Sequence, residues 1–175
     1  MNKKNLILIL AIIALAVASR LVKHPPNFTP VVAMSIFAGY YLNKKWGWLL
    51  PMVAMFLSDA FIGFYDWRLM AVVYLSIGLS FVLGYGFKRF GNWRSVLACS
   101  LTASVLFFIL TNFAVWALYQ WYPHTWAGLL NCFVMALPFF KNTLAGDLVY
   151  SVALFGTYEF AWFYVNQKQT KLMKI

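Results

Sequence analysis

Acidic residues are nearly missing from this chain. Of its 175 residues only four are acidic, namely Asp59, Asp66, Asp147 and Glu159, against 14 Lys and Arg. Charged residues of both signs reach just 10%, while 63% are hydrophobic. A water-soluble domain cannot cover itself with so few charges, which excludes an ordinary soluble globule. Cysteine is scarce too. Cys99 and Cys132 lie in or beside apolar stretches without metal-type spacing, which excludes a disulfide framework and reads as two buried thiols. HExxH, GxSxG and GxxxxGK[ST] are all absent, so neither a zinc peptidase, a serine hydrolase nor an ATPase is signalled, and no metal or cofactor is expected. Repeats, low-complexity segments and linkers are lacking, so residues 1–175 form one domain. A net charge of +10 in a soluble chain would suggest nucleic acid. Here the bases stand in short clusters between apolar runs, where they act as topology signals and contacts to anionic lipid; no nucleic-acid partner is expected.

What the chain has in abundance is apolar runs near bilayer length, about 20 residues each. They predict an all-α integral membrane protein with six transmembrane helices, at about 5–22, 30–42, 46–64, 69–87, 96–121 and 143–165. The stretch from Tyr122 to Asn142, interrupted by Pro123, Gly128 and Pro138, is read as a long connection. Six passes put both termini on one side. That side collects Lys3, Lys4, Lys44, Lys45, Lys88, Arg89, Arg94, Lys168, Lys171 and Lys174, leaving Arg20, Lys23, Arg68 and Lys141 on the other. The excess marks the cytoplasmic face, so the N and C termini are expected to be cytoplasmic in a multi-pass protein of the cell membrane. Lys3-Lys4, an apolar stretch and Ala16-Val17-Ala18 also fit a secretory signal. Cleavage there would leave five helices and an outward N-terminus, which the charge count favours less.

Once threaded, the uncommon polar residues gather at the outer end. Asp59 falls late in an outward helix and Asp147 early in an inward one. Asn112 and Trp116 are one turn apart on the outer half of the fifth helix. Asn27, Phe28 and Thr29 close the first loop, and Phe139, Phe140 and Asn142 close the fifth. Polar groups at membrane depth are costly and tend to face a partner or a cavity, so the gathering reads as a substrate pocket. Each residue also has a plainer role. Asp147 can cap the sixth helix, Asp59 can pair with Lys141, Arg68 or Lys23, and Asn112 can bond between helices. His124, Trp67, Trp121 and Trp126 read as loop and interfacial residues, and Glu159 as a partner of an inner base. Ala11, Ala14 and Ala18 form a small-residue stripe on the first helix, suited to internal packing or to docking another membrane subunit.

Four sequence blocks carry a resemblance. They are His24-Pro25-Pro26-Asn27-Phe28-Thr29-Pro30 running into Phe37-Ala38-Gly39; Pro51 with Leu57-Ser58-Asp59; Thr111-Asn112-Phe113-Ala114-Val115-Trp116 with Tyr122-Pro123; and Leu137-Pro138-Phe139-Phe140-Lys141-Asn142 through Asp147. Together they resemble an uncharacterised bacterial family of small membrane proteins related to the S components, the substrate-binding subunits, of energy-coupling-factor (ECF) vitamin transporters. The resemblance implies an S-component-like six-helix bundle whose outward loops and helix ends bind a small vitamin-like solute. It also implies an alanine stripe, matched by Ala14 and Ala18, that meets a transmembrane coupling subunit, with separate ATPase subunits supplying energy. In a cobalamin-specific branch a cysteine coordinates cobalt; Cys132 in the fifth loop suits that position better than Cys99, but neither aligns with that branch.

The expected function is therefore a substrate-binding membrane subunit lined by Asn27, Phe28, Thr29, Asp59, Asn112, Trp116, Phe139, Phe140, Asn142 and Asp147. Two rivals are an integral membrane enzyme using Asp59 and Asp147 as an acid–base pair, and a scaffold subunit that binds no ligand.

Overall fold

A computed structural model describes the backbone of residues 3–42 and 44–172 and the side chains of 11–42 and 46–163. Lys174, and the side chains of Lys3, Lys4, Lys44, Lys45, Lys168 and Lys171 counted in the charge asymmetry, lie outside the described residues. The described chain is all-helical: α1 (Lys3–Leu21), α2 (Val31–Tyr41), the short α3 (Lys44–Gly47), α4 (Leu49–Ile62), α5 (Trp67–Phe87), α6 (Trp93–Leu118) and α7 (Trp126–Leu172), with a 3-10 turn at Lys88–Phe90.

Local chemistry sets these boundaries. Pro51 falls in the first turn of α4, where its missing N–H would have had no helical partner. Asp66 caps α5 by accepting from the Arg68 and Leu69 amides at 2.9 and 3.4 Å, and Asn92 caps α6 by accepting from Ser95 N at 2.8 Å. The α4 helix ends where Gly63 takes φ 111°, a conformation that favours glycine.

Three segments are long and apolar enough to cross a membrane: Trp67–Phe90, Trp93–Leu118 and Trp126–Phe163. The bundle's outside agrees with a lipid environment, since Leu15, Leu75, Trp126 and Phe160 are each more than two-thirds exposed. The second expected segment, about 30–42, is as short in the structure as in the sequence. With 11 residues, α2 is about 17 Å long, against about 30 Å of hydrocarbon. It is instead the centre of the bundle. Its residues from Val31 to Gly39 are all buried, and it packs on α4, α5, α6 and α7.

The α2–α5 crossing is tight because each helix offers a glycine. A Cβ on Gly39 would stand 2.1 Å from Phe81 O, and one on Gly84 would stand 2.3 Å from Ile36 O. Small residues let apolar helices approach to backbone contact, where dispersion replaces the hydrophobic drive that lipid does not supply. Ser35 Oγ donates to Ile77 O at 2.6 Å across the same crossing.

The expected long connection from Tyr122 to Asn142 is the main correction. Only residues 119–125 between α6 and α7 are non-helical, and α7 runs unbroken through Pro138. A proline removes one helical hydrogen bond but not the helix when neighbouring helices and local adjustment support the freed carbonyl. Phe139, Phe140, Asn142 and Cys132 are therefore helical residues, not loop residues. Asp147 lies 21 positions into α7, so it does not cap the helix.

Candidate functional site

The connections 22–30, 63–66 and 119–125 lie at one end of the bundle, here called the site end. Two neighbouring cavities open there. The larger, about 380 Å³, is lined by Arg20, His24, Asn27, Thr29, Tyr65 and Asp147 together with apolar residues of α2, α4, α5 and α6. The smaller, about 220 Å³, is lined by Phe107, Phe108, Phe139 and Phe140 with Asn27, Thr111 and Asn112. Asn27, Val73, Phe107 and Thr143 border both, so the two compartments adjoin.

The first polar group is a knot joining α1, α4 and α5. Arg20 at the end of α1 pairs with Asp59 at 2.8 Å, and the Tyr74 hydroxyl donates to the same carboxylate at 2.9 Å. Arg20 also donates to Ser58 Oγ, and Asp59 is 1% exposed. The partner of Asp59 is thus Arg20, rather than Lys141, Arg68 or Lys23. The charge is matched where it is buried, which is the condition for tolerating an ion pair at such a place.

The second group has no such match. Asp147 is 2% exposed and accepts a hydrogen bond from Ser104 Oγ at 2.6 Å. Ser104 lies near the middle of α6, so Asp147 forms the floor of the larger cavity rather than its rim. Beside it, Gly146 leaves room for the 22–30 connection. A Cβ there would stand 3.2 Å from Phe28 Cα and 3.3 Å from Thr29 N. Asn27 turns that connection with φ 62°, the one positive φ outside glycine among the described residues, and asparagine tolerates this conformation better than most. Phe28 pins it to α7 through Tyr150, with ring centroids 5.5 Å apart.

The α6–α7 pairing explains the smaller cavity. Ser100 meets Ser151, and the Asn112 carbonyl meets Cys132 Sγ at 3.5 Å. Between these contacts α6 advances twelve residues and α7 nineteen, so α7 takes the longer path. Phe108 fills part of the difference by meeting both Phe133 and Phe140, at 5.4 and 4.6 Å. The remaining space is the aromatic compartment, with Pro138 in the same stretch of helix.

Of the residues singled out in the sequence, Asn27, Thr29, Asn112, Phe139, Phe140 and Asp147 border one or both cavities. Four do not. Asp59 stands behind Arg20, Phe28 packs on Tyr150, and Asn142 is half-buried on α7. Trp116 donates to Pro123 O at 3.0 Å and faces His124, fastening the 119–125 turn to α6. The Asn112 amide nitrogen donates within its own helix to Phe108 O at 2.7 Å, not between helices. Asp59 and Asp147 have separate partners, Arg20 and Tyr74 for the first and Ser104 for the second, and of the two only Asp147 lines the larger cavity. Among the described residues, no group of three or more His, Cys, Asp or Glu could hold a metal ion.

The residues overlooked in the sequence were Arg20, Ser104, Tyr65 and Tyr74. A lone arginine closing an apolar helix, and a lone aspartate inside another, were the signals for the first pairing. Tyr65, in the connection after α4, has its pKa pushed up to about 12 by burial, with the Asp59 charge adding, so it remains a hydroxyl donor at the cavity wall. At the opposite end, Glu159 accepts from Tyr41, and among the described residues it forms no ion pair with a base.

A larger hollow, about 690 Å³, runs between α1 and α7 and is lined almost wholly by apolar residues, Ala11 among them. Ala11, Ala14 and Ala18 are exposed, whereas Ile12 and Ala16 of the same helix turn inward. The alanine stripe therefore does not serve internal packing.

A family model matches residues 1–171. The chain belongs to DUF6580, a family of unknown function. No curated protein matches it, and no solved structure does. For a DUF6580 protein the functional reading therefore rests on the site: two adjoining cavities, one floored by Asp147 and one walled by aromatic rings, within an apolar bundle.

Proposed function

We propose that this DUF6580 protein is a multi-pass protein of the bacterial cytoplasmic membrane that captures a small, vitamin-like solute from the extracytoplasmic side. It acts as the substrate-binding subunit of an ECF-type transporter, with both termini cytoplasmic and a coupling subunit and ATPases supplied by other chains. One observation carries this reading: a buried carboxylate, Asp147, at the floor of a cavity of about 380 Å³ that opens between helix ends and the 22–30 connection. Cavities of this size suit small organic ligands, and a buried carboxylate facing one is costly unless it has work to do. The exposed Ala11, Ala14 and Ala18 stripe supports a partner at α1.

The test is purification of the tagged full chain from its own membranes, followed by mass spectrometry of the extract and of co-purifying proteins. A retained small molecule together with ATPase subunits is expected. Recovery of neither, in a folded preparation, would sink the proposal.

A further inference from the structure

The chemistry of the two compartments narrows the solute, and this step rests on the solute-binding reading above. Arg20 borders the larger cavity, but its charge is committed to Asp59 at 2.8 Å. Among the described residues Asp147 has no cationic partner: its one described donor is the neutral Ser104 hydroxyl. Among the described residues, no buried side-chain oxygen or nitrogen lacks a partner. Asp147 lines the larger cavity, although the residue as a whole is 2% exposed. The site as folded thus presents a carboxyl group with no cationic partner among the described residues to whatever enters.

Next to it lies a compartment of different character. Phe107, Phe108, Phe139 and Phe140 supply aromatic walls, and Leu69, Val73, Val115 and Ala136 the rest of the apolar surface. Phe107 and Thr143 border both spaces, so a ligand lying across them would touch aromatic surface at one end and Asp147 at the other. Aromatic rings pack well on such faces, and an ammonium or amidinium group is the natural complement of a desolvated carboxylate. We propose that the ligand is a cationic aromatic amine or amidine, with its ring in the Phe107–Phe108–Phe139–Phe140 compartment and its charged nitrogen on Asp147. Asn27, on the border of both compartments, is placed to take a second polar group of the same ligand.

The experiment uses three probes that share one ring: tryptamine (cation), indole-3-ethanol (neutral) and indole-3-acetate (anion). Each is measured by equilibrium dialysis against the detergent-purified full chain. The wild type should retain tryptamine best and the acid least. Asp147→Asn, nearly the same shape without the charge, should cut tryptamine retention roughly tenfold to a hundredfold and leave the alcohol unchanged. Ser104→Ala should keep the cation preference. The wild-type preference needs no variant to fold, so it stands as a test by itself. Equal retention of all three, preference for the acid, or a cation preference that survives in Asp147→Asn would overturn the inference. A native ligand found by mass spectrometry that lacks a basic nitrogen would overturn it too, while leaving solute capture intact. Retention of no probe, with no native ligand extracted, would remove both readings.

Discussion

The two ends of this bundle are held together by different physics. At the opposite end, away from the two site-end cavities, α2 and α5 meet at Gly39 and Gly84 with backbone against backbone. Phe37, Tyr41, Phe155 and Tyr158 interlock beside them, with centroids 4.1–5.6 Å apart. At the site end, the helices are joined by Arg20, Asp59 and Tyr74 and by Ser104 and Asp147, with open volume between them. Within an apolar solvent, close packing gives stability without chemistry, while polar bonds hold helices apart at defined distances and leave space for a guest. The difference separates the part that keeps the fold from the part available for function.

Five substitutions bear on that contrast, ordered by expected effect. Arg20→Met should be the most damaging, at about 3–5 kcal/mol in detergent unfolding, because it strands the Asp59 charge. The double variant Arg20→Met with Asp59→Leu should recover much of that loss; no recovery would mean the pair does more than neutralise itself. Gly84→Val should cost about 1–3 kcal/mol through overpacking yet leave probe retention in the folded fraction unchanged. A retention defect would show the two ends to be coupled. Asn27→Val should lose about 1–2 kcal/mol because a β-branched residue resists positive φ, while Asn27→Gly should be near neutral in the same assay.

The smallest effect concerns Asp66, half-buried at the rim. The Arg68 side chain, first, and then the Arg68 and Leu69 amides hold its carboxyl below the usual carboxylate range. A folded pKa below the unfolded one means the contribution is present at neutral pH and fades as pH falls through the depressed value. The Tm difference between wild type and Asp66→Ala should thus hold steady above about pH 4 and shrink below it. Growth of the difference in acid would contradict the assigned bonds.

Helix positions were largely legible because apolar runs in a membrane-type chain have few alternatives to helix. The first five expected segments fall within a few residues of α1, α2, α3 with α4, α5 and α6. The sixth began far too late, since Gly128 and Pro138 look like breaks in sequence. In the fold, Gly128 lies in the opening turn of α7 and Pro138 sits within a helix supported by α6. Cavity residues such as Asn27, Asn112 and Asp147 were legible because polarity in so apolar a chain is informative by itself. Their partners were not: pairing Arg20 with Asp59, or Ser104 with Asp147, depends on how helices rotate against each other. A single chain's periodicity does not encode that rotation when nearly every face is apolar.

Being one unbroken helix of 47 residues, α7 is about 70 Å long, more than twice the hydrocarbon thickness. A rod of that length acts as a lever. Phe139 and Phe140 lie just past Pro138, Thr143 and Asp147 follow within three turns, and the Tyr41–Glu159 contact lies further along the same shaft. Flexing at the proline would swing the aromatic wall against the carboxylate floor, and a tilt of the whole shaft would carry that movement from one face of the membrane to the other.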